Sequence, residues 1–214
     1  MPGEKTVVCF GDSNTYGTPP MTGLDDSRRF ARGTRWPSVM QAELGSGWSV
    51  IEEGLSGRTT VHDDPIEGHW KNGIKLLPAI IETHRPFDVL IILLGTNDLK
   101  TRFSLPPSDI AASAGLLVEM GRAIPTLAGM TPHRIVLVAP PPIAETGCLV
   151  EMFAGGYDKS RKLGALYGEV ARRLGVPFVD AGTVIRSSAT EGIHWDADQH
   201  LLFGRHMAGV VRDL

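Results

Sequence analysis

A serine hydroxyl follows the first predicted strand of the chain. The apolar run 6–10, rich in β-branched residues, stops at Gly11 and is followed by Asp12, Ser13 and Asn14. This pattern predicts a buried strand that ends in a turn. Because ligands of open α/β sheets bind at the carboxyl ends of the strands, Ser13 is a candidate nucleophile. The alternative is that these polar residues only cap the helix that follows.

Two further predicted strands end in turns that combine glycine with a hydroxyl or an amide. The strand 48–53 runs into a glycine-rich turn that contains Gly57, and the strand 88–94 runs into the turn 95–98, which contains Asn97. The carboxyl ends of parallel strands meet at one edge of a sheet. The three turns are therefore expected to build one pocket from backbone donors and short side chains.

Acyl transfer is the chemistry that needs this set of groups. A serine attacks a carbonyl carbon, and the oxygen that gains charge needs fixed hydrogen-bond donors. The backbone N–H groups of Ser13 and Gly57 and the side-chain amide of Asn97 could supply them. The serine also needs a base, and His194, which follows the last predicted strand, could return to the same edge. A carboxylate would then orient the imidazole.

These groups require a scaffold of alternating strands and helices. Apolar strand-like runs recur with helical patterns between them, which predicts a parallel sheet covered on both faces, a three-layer α/β/α sandwich. The whole chain, 1–214, is expected to form a single domain. The predicted strands are 6–10, 48–53, 88–94, 134–139 and 177–180, and the predicted helices are 36–44, 73–83, 107–121, 157–174 and 198–214.

Composition excludes several classes of partner. The formal net charge of -3 leaves no basic footprint for nucleic acid. No apolar run has the 18 or so residues that a membrane span needs, and we expect no secretory signal and no membrane partner. Two cysteines, Cys9 within the first strand and Cys148 in a later loop, make no disulfide framework. A reducing, cytoplasmic location is the simpler expectation.

No cofactor or metal is expected. The segment 62–69 contains two histidines and two aspartates, but their spacing fits no recognised zinc pattern. Glycine motifs typical of nucleotide binding are absent from the sequence.

The loops 18–34 and 140–156 contain apolar residues that could either line the pocket or cover a subunit interface.

Four short blocks of the sequence, taken together, resemble the SGNH hydrolases, also called GDSL-type esterases and lipases. Gly-Asp-Ser-Asn at 11–14 matches the first block of that family, Gly57 the second, Gly-Thr-Asn-Asp at 95–98 the third, and Glu-Gly-Ile-His at 191–194 the last. The resemblance covers nearly the whole chain in the right order. The runs Glu-Glu-Gly-Leu-Ser-x-Arg-Thr-Thr and Leu-Gly-Thr-Asn-Asp further resemble bacterial arylesterases and acyltransferases of this family.

The resemblance implies a flavodoxin-like sheet, with Ser13 as nucleophile and His194 as general base. It implies an oxyanion hole formed by Ser13, Gly57 and Asn97, and a homo-oligomer. It further implies that the aspartates beside Ser13 and Asn97 hold their turns rather than take part in the chemistry.

One departure from the family pattern concerns the residue that orients the histidine. The family has aspartate three residues before the histidine, and this chain has Glu191. Our hypothesis is that Glu191 orients His194, since glutamate takes this role in other hydrolase folds. The alternatives are a Ser–His pair oriented by a backbone carbonyl, with Glu191 in solvent, or a role for Asp196 or Asp180.

The expected function is hydrolysis of small esters with acetyl or other short acyl groups, joined to aryl, alkyl or sugar alcohols. An acyltransferase or thioesterase that uses the same site is one alternative. A non-catalytic, flavodoxin-like binding module is the other.

Overall fold

The computed structural model describes residues 4–124, 127–128 and 131–214. Strands and helices alternate along these ranges, as the sequence pattern predicts. The strands are β1 (Lys5–Gly11), β2 (Trp48–Gly54), β3 (Val89–Leu93), β4 (Arg134–Ala139) and β5 (Phe178–Asp180). The helices are α1 (Ser13–Tyr16), α2 (Trp36–Leu44), α3 (Gly73–His84), α4 (Pro107–Ala123), α5 (Gly156–Ser160), α6 (Leu163–Leu174) and α7 (Ala197–Arg212).

The five strands form one parallel sheet in the order β2-β1-β3-β4-β5. This is the flavodoxin-like order, and the strand order reverses between β1 and β3, where ligands of such sheets bind. Gly11 at the end of β1 lies level with Gly54 in β2 and with Leu93 in β3. The register therefore brings the turns after these three strands to the same edge, at the topological switch point.

Alternate residues of the central strands face two separate cores. Val8 and Phe10 of β1 pack in the core that contains residues of α3, α4 and α6. Val7 and Cys9 pack on the opposite face, in the core that contains residues of α2 and α7. Because both faces of the sheet are covered, the predicted α/β/α sandwich is confirmed.

One predicted helix differs from the structure. The continuous helix expected over 157–174 is interrupted between α5 and α6, where Arg161 and Lys162 form a tight turn. The Ser160 hydroxyl donates to the carbonyl of Tyr157 and accepts from the backbone N–H of Ile143. A serine side chain that bonds backbone groups in this way competes with the helical ladder. None of the described helices is long and apolar enough to cross a bilayer.

Candidate active site

The turn after β1 presents Ser13 at the start of a one-turn helix. The Asp12 carboxylate accepts a hydrogen bond from the backbone N–H of Asn14 at 3.0 Å, which fixes the start of α1. Ser13 is its first residue, so its N–H lies among those that a helix leaves without an intrahelical partner. The strand, the cap and the short helix thus place a hydroxyl and a backbone donor together.

Ser13, His194 and Glu191 form a continuous chain of contacts. The Oγ of Ser13 lies 3.0 Å from Nε2 of His194, and Nδ1 of the same imidazole lies 3.1 Å from Oε2 of Glu191. All three are buried, and Glu191 is 0% exposed. The two ring nitrogens therefore face a hydroxyl on one side and a carboxylate on the other, the arrangement that serine activation requires.

The loop that carries Glu191 and His194 is folded tightly around the carboxylate. Oε1 of Glu191 accepts hydrogen bonds from the backbone N–H groups of His194, at 2.5 Å, and Ile193, at 3.2 Å. Gly192 has φ = +82°, and a Cβ there would lie 1.9 Å from the carbonyl oxygen of Ala144. Glycine accepts this φ and this close approach more easily than any other residue, so the tight loop between Glu191 and His194 depends on Gly192.

The other two candidate carboxylates have different partners. Asp196 accepts a hydrogen bond from the hydroxyl of Ser188 at 3.1 Å, and Asp180 accepts one from the backbone N–H of Gly182 at 2.9 Å. The structure therefore brings Glu191, rather than Asp196 or Asp180, into contact with His194.

Gly57 and Asn97 lie beside this chain of contacts. Nδ2 of Asn97 donates one hydrogen bond to the carbonyl of Arg58 at 3.1 Å. A primary amide has two N–H donors, so the second is available to a ligand. Gly57 has φ = +81°, and Ser13, Gly57, Asn97 and His194 line the same cavity. The arrangement can offer two backbone donors and one side-chain donor to an oxygen bound next to Ser13.

Arg58 ties the first two turns together, a role that the sequence did not reveal. Its guanidinium donates to the carbonyl of Gly11 at 2.9 Å and to the carbonyl of Glu53, and it lies 4.2 Å from the centre of the Phe10 ring. Burial lowers the pKa of Arg58 to about 10, so it remains charged at neutral pH. A buried arginine next to a glycine-rich turn has no distinctive spacing, and only its contacts identify it.

Asp12 is a buried acid close to the serine. Burial raises its pKa from 3.8 to about 6, against the opposing effects of the Asn14 N–H and of the charges of His194 and Arg58. Its carboxylate accepts the hydrogen bond that caps α1. Asp12 therefore holds its turn, and the expectation that it takes no part in the chemistry stays a prediction.

The cavity at this edge has a volume of about 530 Å³. Both loops whose role was open, 18–34 and 140–156, contribute to its lining. One group of lining residues is apolar: Met21, Leu24, Leu149, Met152, Phe153 and Ile193. Another is polar or charged: Asp26, Ser27, Arg28, Ser56, Glu67 and Lys100. A cavity of this size, with a few convergent polar groups, suits a small ligand.

The acidic residues of the 62–69 segment are paired with cations. Asp63 lies 2.6 Å from Nζ of Lys75, and Asp64 lies 2.9 Å from Nη1 of Arg102. Within 4–124, 127–128 and 131–214, no three His, Cys, Asp or Glu side chains form a group that could hold a metal ion. The absence of a metal in the reaction stays a prediction.

The sequence of the chain is similar to that of a known protein family. A sequence profile of the GDSL-like lipase/acylhydrolase family matches residues 9–203. A search of curated protein sequences gave no match.

The solved structures that are similar along almost their whole length include two esterases. A carbohydrate acetylesterase from Sinorhizobium meliloti is 39% identical, with a TM-score of 0.93 over 98% of this chain and 99% of the other. The aryl esterase of M. smegmatis is 38% identical, with a TM-score of 0.94 and the same coverage.

Proposed function

Because the chain belongs to the GDSL-like lipase/acylhydrolase family, we propose that it is a serine esterase of short-chain, acetyl-type esters of aryl, alkyl or sugar alcohols. The observation that carries the proposal is the 3.0 Å contact between Oγ of Ser13 and Nε2 of His194, with Glu191 behind the imidazole. The similar solved structures include a carbohydrate acetylesterase and an aryl esterase, which supports small acyl esters.

The first half of the reaction forms an acyl-enzyme. Oγ of Ser13 attacks the ester carbonyl carbon while Nε2 of His194 takes the hydroxyl proton. The carbonyl oxygen becomes an oxyanion, which accepts hydrogen bonds from the N–H groups of Ser13 and Gly57 and from the Asn97 amide. His194 then gives its proton to the leaving alcohol oxygen as the C–O bond breaks.

The second half repeats these roles with water. His194 takes a proton from the water, the resulting hydroxide attacks the acyl carbon, and the proton returns to Oγ of Ser13 as the acid leaves. In both halves, Glu191 holds the Nδ1–H tautomer of His194 and stabilises the imidazolium that forms.

The alternative functions are not favoured. A non-catalytic binding module gives no reason for a serine, an imidazole and a buried carboxylate to lie in series. Acyl transfer to an alcohol and thioester cleavage would use the same groups, but the two similar structures described above are of esterases.

Hydrolysis of p-nitrophenyl esters by the wild type and by Ser13→Ala tests the proposal. We expect Ser13→Ala to lose at least about 10⁴-fold in kcat, with Ser108→Ala, at an exposed serine of α4, as the matched control. An organophosphonate should add one adduct to the wild type, located on Ser13 by peptide mass spectrometry. Full activity of Ser13→Ala, or labelling at another residue, would refute the assignment.

We also propose self-association and a reducing, cytoplasmic location. Ile66 and Trp70, on the segment that borders the cavity, are 75% and 54% exposed, which supports a subunit contact there. Cys9 and Cys148 are both free thiols. Sedimentation that shows only monomer at micromolar concentration would refute the oligomer, and cell fractionation against cytoplasmic markers would test the location.

A further inference from the structure

The cavity has a charged wall next to Gly57. Glu67 and Lys100 both line the cavity, and Nζ of Lys100 donates to Oε1 of Glu67. Lys100 is only 3% exposed, and its Nζ lies 3.6 Å from Oδ2 of Asp64. Nη1 of Arg102 is 3.7 Å from the Glu67 carboxylate. The charged groups of this wall are therefore paired with one another, and Glu67, with 30% of its side chain exposed, is the member most open to solvent.

Glu67 lies directly against the glycine. A Cβ built on Gly57 would lie 2.2 Å from Oε2 of Glu67 and 3.4 Å from Cδ of Lys71. The carboxylate therefore occupies the space that any side chain at position 57 would fill. A substrate group that entered the space beside Cα of Gly57 would meet this carboxylate.

The segment that carries Glu67 is held in place by a buried acid. Oδ1 of Asp64, whose side chain is fully buried, accepts from the backbone N–H groups of Ile66 and Glu67, both at 2.9 Å, and from Arg102 at 2.9 Å. Burial opposes ionisation of Asp64, but these donors and the charge of Lys100 outweigh it and lower its pKa. Two hydrogen bonds from backbone N–H groups to Asp64 thus hold the backbone on which Glu67 stands, and the third ties Asp64 to Arg102.

Another part of the cavity lining is apolar and adjoins the histidine. Ile193, Leu149 and Phe153 belong to one hydrophobic cluster. The 143–149 segment packs on the loop that carries His194. The backbone N–H of Ala144 donates to the carbonyl of Gly192 at 2.8 Å, and Gly147 lies against Thr190 and Glu191.

The reaction decides which part of an ester meets which side. His194 must protonate the leaving oxygen, so the alcohol lies on the histidine side, against the apolar wall. The acyl chain leaves the same carbon in another direction, past the oxyanion donors and toward Gly57. A longer acyl chain would have to displace water from the charged groups of Glu67 and Lys100 without a hydrogen bond in return.

We infer that Glu67, held by Lys100, limits the length of the acyl group, while the apolar wall accepts the alcohol. This specificity-determining role rests on the proposed esterase function. It narrows the proposed substrates to esters in which the acyl part is of acetyl size and the alcohol part is apolar or aromatic.

Variants at position 67 test the role of the carboxylate. In Glu67→Ala the ratio of kcat/KM for p-nitrophenyl butyrate to that for the acetate should rise about tenfold, the value expected for burying two more methylenes. In Glu67→Asp, which withdraws the carboxylate by one methylene, the propionate-to-acetate ratio should rise about fourfold. The ratio of kcat/KM for 1-naphthyl acetate to that for p-nitrophenyl acetate should stay unchanged, because the part of the site that holds the alcohol is not altered.

The controls separate this inference from the proposed function. Glu82→Ala, at an exposed acid of α3, should leave all the ratios as in the wild type. If the wild type hydrolyses acetyl esters through Ser13 and both Glu67 variants keep the wild-type acyl ratios, the role of Glu67 is refuted and the esterase stands. If the wild type cleaves none of these esters, both fail. Should Glu67→Ala not fold, the Glu67→Asp ratio decides alone.

Discussion

The Asp98 carboxylate binds both the backbone N–H and the side-chain hydroxyl of Thr60. The Asp98 carboxylate accepts from the Thr60 N–H at 3.0 Å and from its hydroxyl at 2.5 Å, and Nδ1 of His62 lies 3.2 Å away. Asp98 follows Asn97 in the turn after β3, and Thr60 lies three residues after Gly57 in the turn after β2. This contact therefore sets the spacing between the two turns that would hold the oxyanion.

We predict that Thr60→Val loosens this spacing. Removal of the hydroxyl leaves the fully buried carboxylate of Asp98 with one donor fewer, which should lower the free energy of unfolding by about 1–3 kcal/mol. If the turns separate slightly, kcat should fall about tenfold with KM little changed, because the oxyanion forms only in the transition state. Thr60→Ser, which keeps the hydroxyl, is the matched control. Wild-type kcat in Thr60→Val would contradict the link.

Glu191 should matter as much as the aspartate of other serine hydrolases. We predict that Glu191→Ala lowers kcat about 10³–10⁴-fold, because Nδ1 of His194 loses the carboxylate that fixes its tautomer. Glu191→Asp should keep part of the activity, since it retains a carboxylate one methylene shorter. Steady-state kinetics on p-nitrophenyl acetate would measure both. Unchanged turnover in both variants would remove Glu191 from the mechanism.

Asn97 should contribute to kcat rather than to binding. Asn97→Ala removes the amide donor, and loss of one oxyanion-hole donor costs about 10²–10³-fold in kcat. It also removes the contact to the Arg58 carbonyl, so urea unfolding must accompany the kinetics. Asn72→Ala, which removes an amide that also bonds a backbone carbonyl but lies outside the cavity lining, is the control for lost stability. Equal kcat in the two variants would contradict the role of Asn97.

Asp12 should make stability depend on pH in a defined direction. Its pKa in the folded protein is about 6, above the ordinary 3.8, so the folded state holds the proton more tightly. The contribution of Asp12 to the free energy of unfolding is fully present below about pH 3.8 and is lost as the pH rises through about 6. The shift corresponds to roughly 3 kcal/mol.

Asp12→Asn isolates this effect, because asparagine keeps an oxygen that can cap α1. The free energy of unfolding of the wild type minus that of Asp12→Asn should fall by roughly 3 kcal/mol between about pH 3 and pH 7. Urea titrations across this range would measure it. Parallel pH profiles of the two proteins would show that Asp12 does not titrate as described.

Several features of the fold followed from the sequence because they rest on local patterns. The apolar run before Gly11 and the continuous apolar β3 predict buried parallel strands, and both are confirmed. The interruption between α5 and α6 could not be predicted, since it depends on a contact of Ser160 with Ile143, far away in the chain. Periodicity reports which face of a helix is buried, not which backbone groups its side chains reach.

The features of the site likewise divide into those that the sequence predicts and those that only the folded chain shows. The chain itself determined that Ser13, Gly57 and Asn97 follow strands and that His194 comes after the last one, because residue type and order are local properties. Only the tertiary structure decided that Glu191 meets the imidazole, that Arg58 joins two turns, and that Glu67 and Lys100 form a charged wall. These relationships join residues 3 to 47 positions apart, and their geometry depends on sheet register and burial, which no short stretch of sequence contains.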